Sequence, residues 1–218
     1  LKIQQLIFVF LGIFTISCGD CENQKIGDLP LSDRYRNFIN LNSGEQVSFA
    51  NSDNERITFI VNRFDGVGFL TGRVVGQGID FEYGDFTCNE FYERQEAYIN
   101  LDAQSDRTTL SLNVRDFSRD PDVKEEVLEM ILSWAIDMPD EQLTGGVVAS
   151  FDFNANRFQA PRWPDQVFEV LDELTVDDKT YQNVLSAHDQ NEASAIYLVE
   201  GIGIVGFMRN SVVYTLLE

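Results

Sequence analysis

An all-β or mainly β domain is the fold class this chain predicts. The expected form is antiparallel strands in a curved sheet, a sandwich or a partial barrel, with at most one or two short helices. Three observations predict it. The chain carries 17 Phe and 7 Tyr, and aromatic side chains favour pleated, half-buried surfaces. Apolar residues recur at every second position in short runs, which is the strand period. Between the runs stand clusters of Asn, Asp, Gly and Ser that supply turn chemistry. An apolar content of 44% is enough to build a core.

Taken in order, residues 1–17 read as a secretory signal: Lys2, then the apolar run Leu6 to Ile16, then the small residue Ser17. The run is too short to span a bilayer, which takes about twenty apolar residues. Thr15-Ile16-Ser17-Cys18 resembles the lipobox of bacterial lipoproteins, although Leu is usual where Thr15 stands. The resemblance implies cleavage before Cys18 and acylation of that cysteine. Each acyl CH₂ is worth about 0.8 kcal/mol when buried, so several chains anchor a domain firmly. With Cys18 lipidated, Cys21 and Cys88 remain as a candidate disulfide pair in an oxidising compartment; two unpaired thiols are the alternative. Residues 18–34 are polar and read as a lipidated flexible tether, and residues 35–218 as a single β-rich domain.

Within that domain, Val47 and Phe49 alternate with polar residues, Asn51 to Asn54 makes a turn, and Ile57, Phe59 and Val61 alternate again, a hairpin. Ile99 and Leu101 lead through Ala103 to Arg107 into Leu110, Leu112 and Val114, a second hairpin. Leu174 and Val176 lead through Asp177-Asp178-Lys179 to Tyr181, a third. Three strands close the chain: Ala195 to Glu200, Ile202 to Phe207, and Val212 to Leu217. Residues 121–137 fit two patterns. Val123, Val127, Leu128, Ile131, Leu132 and Ala135 follow helical spacing after Asp120-Pro121, whereas Leu128, Met130, Leu132 and Trp134 alternate as a strand. The strand is favoured by its neighbours.

Charge excludes whole classes of function. Against 16 Lys and Arg stand 36 Asp and Glu, a net charge of −20. Such a field repels phosphate backbones, and no basic stripe offsets it, so nucleic acid is not an expected partner. It repels anionic headgroups too, so membrane attachment falls to lipid on Cys18 rather than to a polybasic patch.

Other motifs carry little chemistry. Gly201-Ile-Gly203-Ile-Val-Gly206 matches the dinucleotide fingerprint literally, yet no helix pattern or βαβ unit follows it, so no nucleotide is expected. His188 is the only histidine and stands far from any triad or zinc pattern, which makes it a surface residue. Asn51 to Glu55 and Asp116 to Asp122 lack the spacing of an EF-hand loop. Among so many carboxylates, a pair at glycosidase spacing carries no information. Trp134, Trp163 and Tyr92 are candidates for a sugar-stacking platform, with core packing the commoner role for aromatics. No catalytic residue, metal site or cofactor is expected, and the chain does not read as an enzyme.

Three features together resemble the uncharacterised outer-membrane lipoproteins of Bacteroidetes-type bacteria. They are the Ser17-Cys18 leader, Lys179-Thr180-Tyr181-Gln182-Asn183-Val184, and Ile196-Tyr197 running into Gly201 to Phe207. Asp20 and Glu22 are similar to the acidic export signals of that group. The final strand departs from it, with Tyr214 where Trp is common. The resemblance implies a β-rich domain lipid-anchored at the outer membrane, in many members facing outward, and supports the strand at 121–137; it attaches no activity. The expected function is a non-catalytic binding or structural module with a protein or glycan partner. A carrier of an apolar ligand in a β cavity is the second reading and a hydrolase the third.

Overall fold

The computed structural model describes residues 24–75, 78–82, 90–104, 107–116, 126–137, 142–161, 164–176 and 179–217. Cys18, Cys21, Cys88, Trp163 and Val123 lie outside these residues. The strands are β1 (Gln24–Leu29), β2 (Gln46–Ala50), β3 (Arg56–Val75), β4 (Gly78–Glu82), β5 (Glu90–Ala103), β6 (Thr109–Asp116) and β7 (Glu126–Asp137). They continue as β8 (Gln142–Asp152), β9 (Arg157–Phe158), β10 (Gln166–Val176), β11 (Lys179–Asp189), β12 (Ser194–Val199), β13 (Gly203–Arg209) and β14 (Val212–Leu216). A single 3₁₀ turn, Asp33–Asn37, is the only helical element among the described residues. The predicted fold class is therefore observed, and so is each of the three hairpins.

Two compact units divide the chain. The smaller comprises, of the described residues, 24–28, 69–75, 78–82 and 90–93. In it β4 pairs with the far end of β3, from Thr71↔Glu82 to Val75↔Gly78, and Lys25 forms ion pairs with Asp28 and Glu93. Within the stretch read as a tether, residues 24–29 form a strand, a 3₁₀ turn follows at 33–37, and Leu29 and Leu31 are buried.

The larger unit is one antiparallel sheet with strand order β10-β11-β12-β13-β14-β2-β3-β5-β6-β7-β8-β9. It curls into a nearly closed barrel. The C-terminal strand completes the circuit against the first strand of the unit, through Thr215↔Ala50 and Leu216↔Phe49, and Leu217 N donates to Ser48 O at 2.9 Å. One seam remains, between β9 and β10, where the Phe158 and Phe168 rings meet at 5.5 Å. Pro161 and Pro164 lie in the intervening segment, and proline has no N–H to give a ladder.

Alternation decides which side chains face inward. In β6 every second residue is buried, so Leu110, Leu112 and Val114 enter the core while Ser111 and Asn113 face out. The strand reading of 126–137 holds, with Leu128, Met130, Leu132 and Trp134 buried and Ser133 exposed. Register explains why: β7 is paired with β6 over 126–133 and with β8 over 127–137. Such ladders satisfy its main-chain groups as fully as a helix would.

Aromatic rings fill the middle of the barrel. Phe207 stacks on Tyr214 at 5.1 Å and 7°, and meets Phe49 and Phe59 edge-on at 5.3 and 5.7 Å. Phe49 and Phe59 are themselves 5.6 Å apart. A second, smaller apolar cluster of Val184, Val199 and Val205 lies on the opposite face of the sheet, with Leu171, Leu174, Tyr181 and Tyr197 packed against it. Leu171, Leu174 and Tyr181 of that set come from the β10–β11 hairpin. Lys179 Nζ donates to Leu216 O at 3.0 Å, although β14 lies three strands from β11, about 14 Å at the usual spacing. Asn183 takes φ +54° within β11. In the Lys179-x-Tyr181-x-Asn183-Val184 string, Lys179, Tyr181 and Val184 thus have structural tasks.

The glycine string is structural as well. Gly201 and Gly203 take φ of +90° and +94° at the β12–β13 turn, a conformation glycine adopts without steric cost. A Cβ on Gly206 would stand 2.9 Å from the Tyr214 carbonyl oxygen, so glycine permits the close approach of β13 and β14.

Candidate functional site

One rim of the barrel is plugged by the chain that precedes β2. Phe38 N and Ile39 N both donate to Tyr35 O at 3.0 Å, which closes the 3₁₀ turn. The turn drives Tyr35, Phe38 and Ile39 inward, the last two to 2% and 1% exposure. Phe38 stacks on Phe153 at 5.4 Å. The plug is tied on three sides. Ser32 donates through N and Oγ to the buried Glu126 carboxylate. Gly201 N donates to Asn37 O at 2.8 Å, and Asn37 Nδ2 to Glu200 Oε1 at 3.1 Å. Arg63 on β3 donates to the carbonyls of Ile39 and Leu41 at 3.3 and 3.4 Å.

Beside this plug lies a cleft of ≈ 570 Å³, a size within the usual range of small-molecule sites. The plug contributes Leu31, Tyr35, Arg36, Ile39 and Asn40; β3 contributes Arg63, Asp65, Gly66 and Val67; β5 contributes Gln95 and Glu96. Strand periodicity places Arg63 and Asp65 on one face. Their pairing is bidentate, at 2.7 and 3.1 Å. That carboxylate holds the Arg63 guanidinium above its already high ordinary range. Arg36 lies with its guanidinium 5.7 Å from the centre of the Tyr35 ring, and its pKa is raised first by the bond to that side chain. Glu96 meets the buried Arg94 at 3.4 Å.

Far from the cleft, the buried Arg209 donates to Thr108 Oγ1 at 2.9 Å and to Tyr214 Oη at 3.2 Å. Tyr214 Oη donates in turn to Glu55 Oε2 at 2.9 Å. Burial pushes the Tyr214 phenol above its usual range, Arg209 draws it back, and the Glu55 bond adds to the rise. This network ties β13 and β14 to the β2–β3 turn and is structural.

Among the described residues, none of those singled out in sequence lines the cleft. Trp134 is 6% exposed and donates from Nε1 to Ser194 Oγ at 3.0 Å, so it belongs to the core rather than to a sugar platform. Tyr92 lies in the smaller unit, its ring against Gly27. His188 is half-buried, with Nδ1 3.0 Å from Asp189 O and Nε2 3.6 Å from Glu169 Oε1. Asn51 Oδ1 accepts from the N–H groups of Asp53 and Glu55, a side-chain-closed turn. No group of three or more His, Cys, Asp or Glu among the described residues is placed to hold a metal ion. The signal for the cleft was faint: Arg34 and Arg36 close together in an acidic chain, and Arg63-x-Asp65 in a strand.

Fold and site together define a β barrel with a filled interior and a plugged rim, beside which a cleft of mixed polar and apolar lining opens. No protein-family model, curated protein or solved structure matches the chain.

Proposed function

We propose that the protein is a lipid-anchored, non-catalytic binding module of the bacterial envelope, tethered through Cys18 and taking its ligand at the cleft beside the 3₁₀ plug. One observation carries the choice of module over carrier. Phe49, Phe59, Val61, Leu101, Leu110 and Leu112, inside the barrel, all have 0% accessible surface. An internal cavity large enough for an apolar ligand would leave such side chains accessible surface facing it. Protein interiors pack as densely as organic crystals, and rings in contact leave no cargo space.

Native mass spectrometry of the protein purified from cells tests this. The expected mass is that of the acylated polypeptide, with no further component removed by organic solvent. A stoichiometric, extractable apolar ligand would overturn the reading in favour of a carrier. The anchor has its own test. Cys18→Ala is expected to remove the protein from the membrane fraction after alkaline wash; retention of the variant there would refute lipid anchoring.

A further inference from the structure

We propose that the cleft beside the plug accepts a short uncharged oligosaccharide; this rests on the cleft being the binding site. The charges at its lining are already compensated within the protein. Arg63 is held by Asp65 through two bonds and by two main-chain carbonyls. Glu96 pairs with Arg94, whereas Arg36, 3.9 Å from Asp33 with both side chains exposed, is only loosely paired. An anionic ligand would have to displace Asp65 from Arg63, and it would also meet the field of a chain at −20.

Hydrogen-bonding capacity nevertheless remains. Gln95 accepts from Leu31 N through Oε1, which leaves its amide nitrogen as a donor. Asn40 donates to Gly201 O through Nδ2, which leaves its Oδ1 as an acceptor. The paired carboxylates of Asp65 and Glu96 keep lone pairs for hydroxyl donors, since an ionised carboxylate has about four acceptor sites. Val67, 55% exposed, supplies an apolar surface on the β3 side. Hydroxyls that both donate and accept, on a ring with apolar C–H faces, match this lining. That is the chemistry of a neutral sugar.

Chemical-shift mapping on the full chain tests the assignment. The probes are neutral trisaccharides of the gluco, manno, galacto and N-acetylglucosamine series, with trigalacturonate and trialanine as charged comparisons of similar size. A neutral trisaccharide is expected to give saturable shifts at the amides of residues 31–41, 63–67 and 95–96, with Kd of about 1 mM or tighter. Val67→Glu, which puts a carboxylate at an exposed position of the lining, is expected to weaken that binding at least about tenfold while leaving the unfolding midpoint unchanged. Stronger binding of trigalacturonate or trialanine at the same amides would overturn the sugar assignment and leave the cleft as the site. Silence of those amides towards every probe would overturn both. Unaltered sugar binding by the Val67→Glu variant would place the sugar elsewhere and overturn the proposal.

Discussion

Phe207→Ala is expected to cost about 3–5 kcal/mol of stability, the usual range for removing a fully buried phenylalanine. The ring lies between Phe49, Phe59 and Tyr214, with centroids 5.1 to 5.7 Å away, and has no accessible surface. Its loss removes apolar burial and leaves a void that neighbours on three other strands, β2, β3 and β14, cannot all move to fill. A domain whose total stability is about 5–15 kcal/mol would be left close to its threshold. Urea denaturation measures the change, with Phe207→Leu as the milder comparison, and the denaturant slope should stay constant. The result bears on function as well as folding. A barrel built around a ligand space would tolerate the truncation, so a loss below about 1 kcal/mol would contradict the filled interior on which the binding-module reading stands.

Much of this interior could be read from the chain alone. Phe49, Phe59, Leu110 and Leu112 all sit at alternate positions between turn residues, and the period-two rule assigns them to one face; β13 breaks the rule, with Ile204 and Phe207 both in the core. Alternation is a local signal, however, and the closures are not local. Nothing around Leu216 indicates that it pairs with Phe49, and nothing around Gln24 shows that residues 24–29 find a strand partner more than sixty positions away. Residues 121–137 fit two patterns for the same reason, because the decisive contacts of 126–137 are ladders to β6 and β8. The cleft was the least visible feature. Its lining comes from three separate stretches, and side chains such as Gln95 and Asn40 have no spacing that sets them apart from ordinary surface residues. The motifs that did stand out, Gly201-x-Gly203 and Lys179-x-Tyr181-x-Asn183-Val184, were conspicuous because they solve backbone problems.

Gly145→Val is expected to destabilise the barrel by about 2–4 kcal/mol, combining overpacking with a lost buried hydrogen bond. Gly145 pairs directly with Trp134 across β7 and β8. A Cβ there would stand 2.3 Å from Trp134 Cζ2 and 2.9 Å from its Nε1. The indole therefore covers the glycine, and from that position it reaches Ser194 Oγ on β12. Valine would force the ring off its site. Ser194, 1% exposed, would lose this donor, and β7 would lose its side-chain tie to β12. That tie matters because the β9–β10 seam has no ladder, so the two ends of the sheet are held together by side chains. Chemical denaturation gives the energy. Tryptophan emission gives the geometry: in a Trp163→Phe background only Trp134 emits, and Gly145→Val should shift its emission to the red and open it to quenching by iodide. Unchanged emission with unchanged stability would mean that the indole does not lie over Gly145, and the bond from Trp134 to Ser194 would then not be what joins these strands.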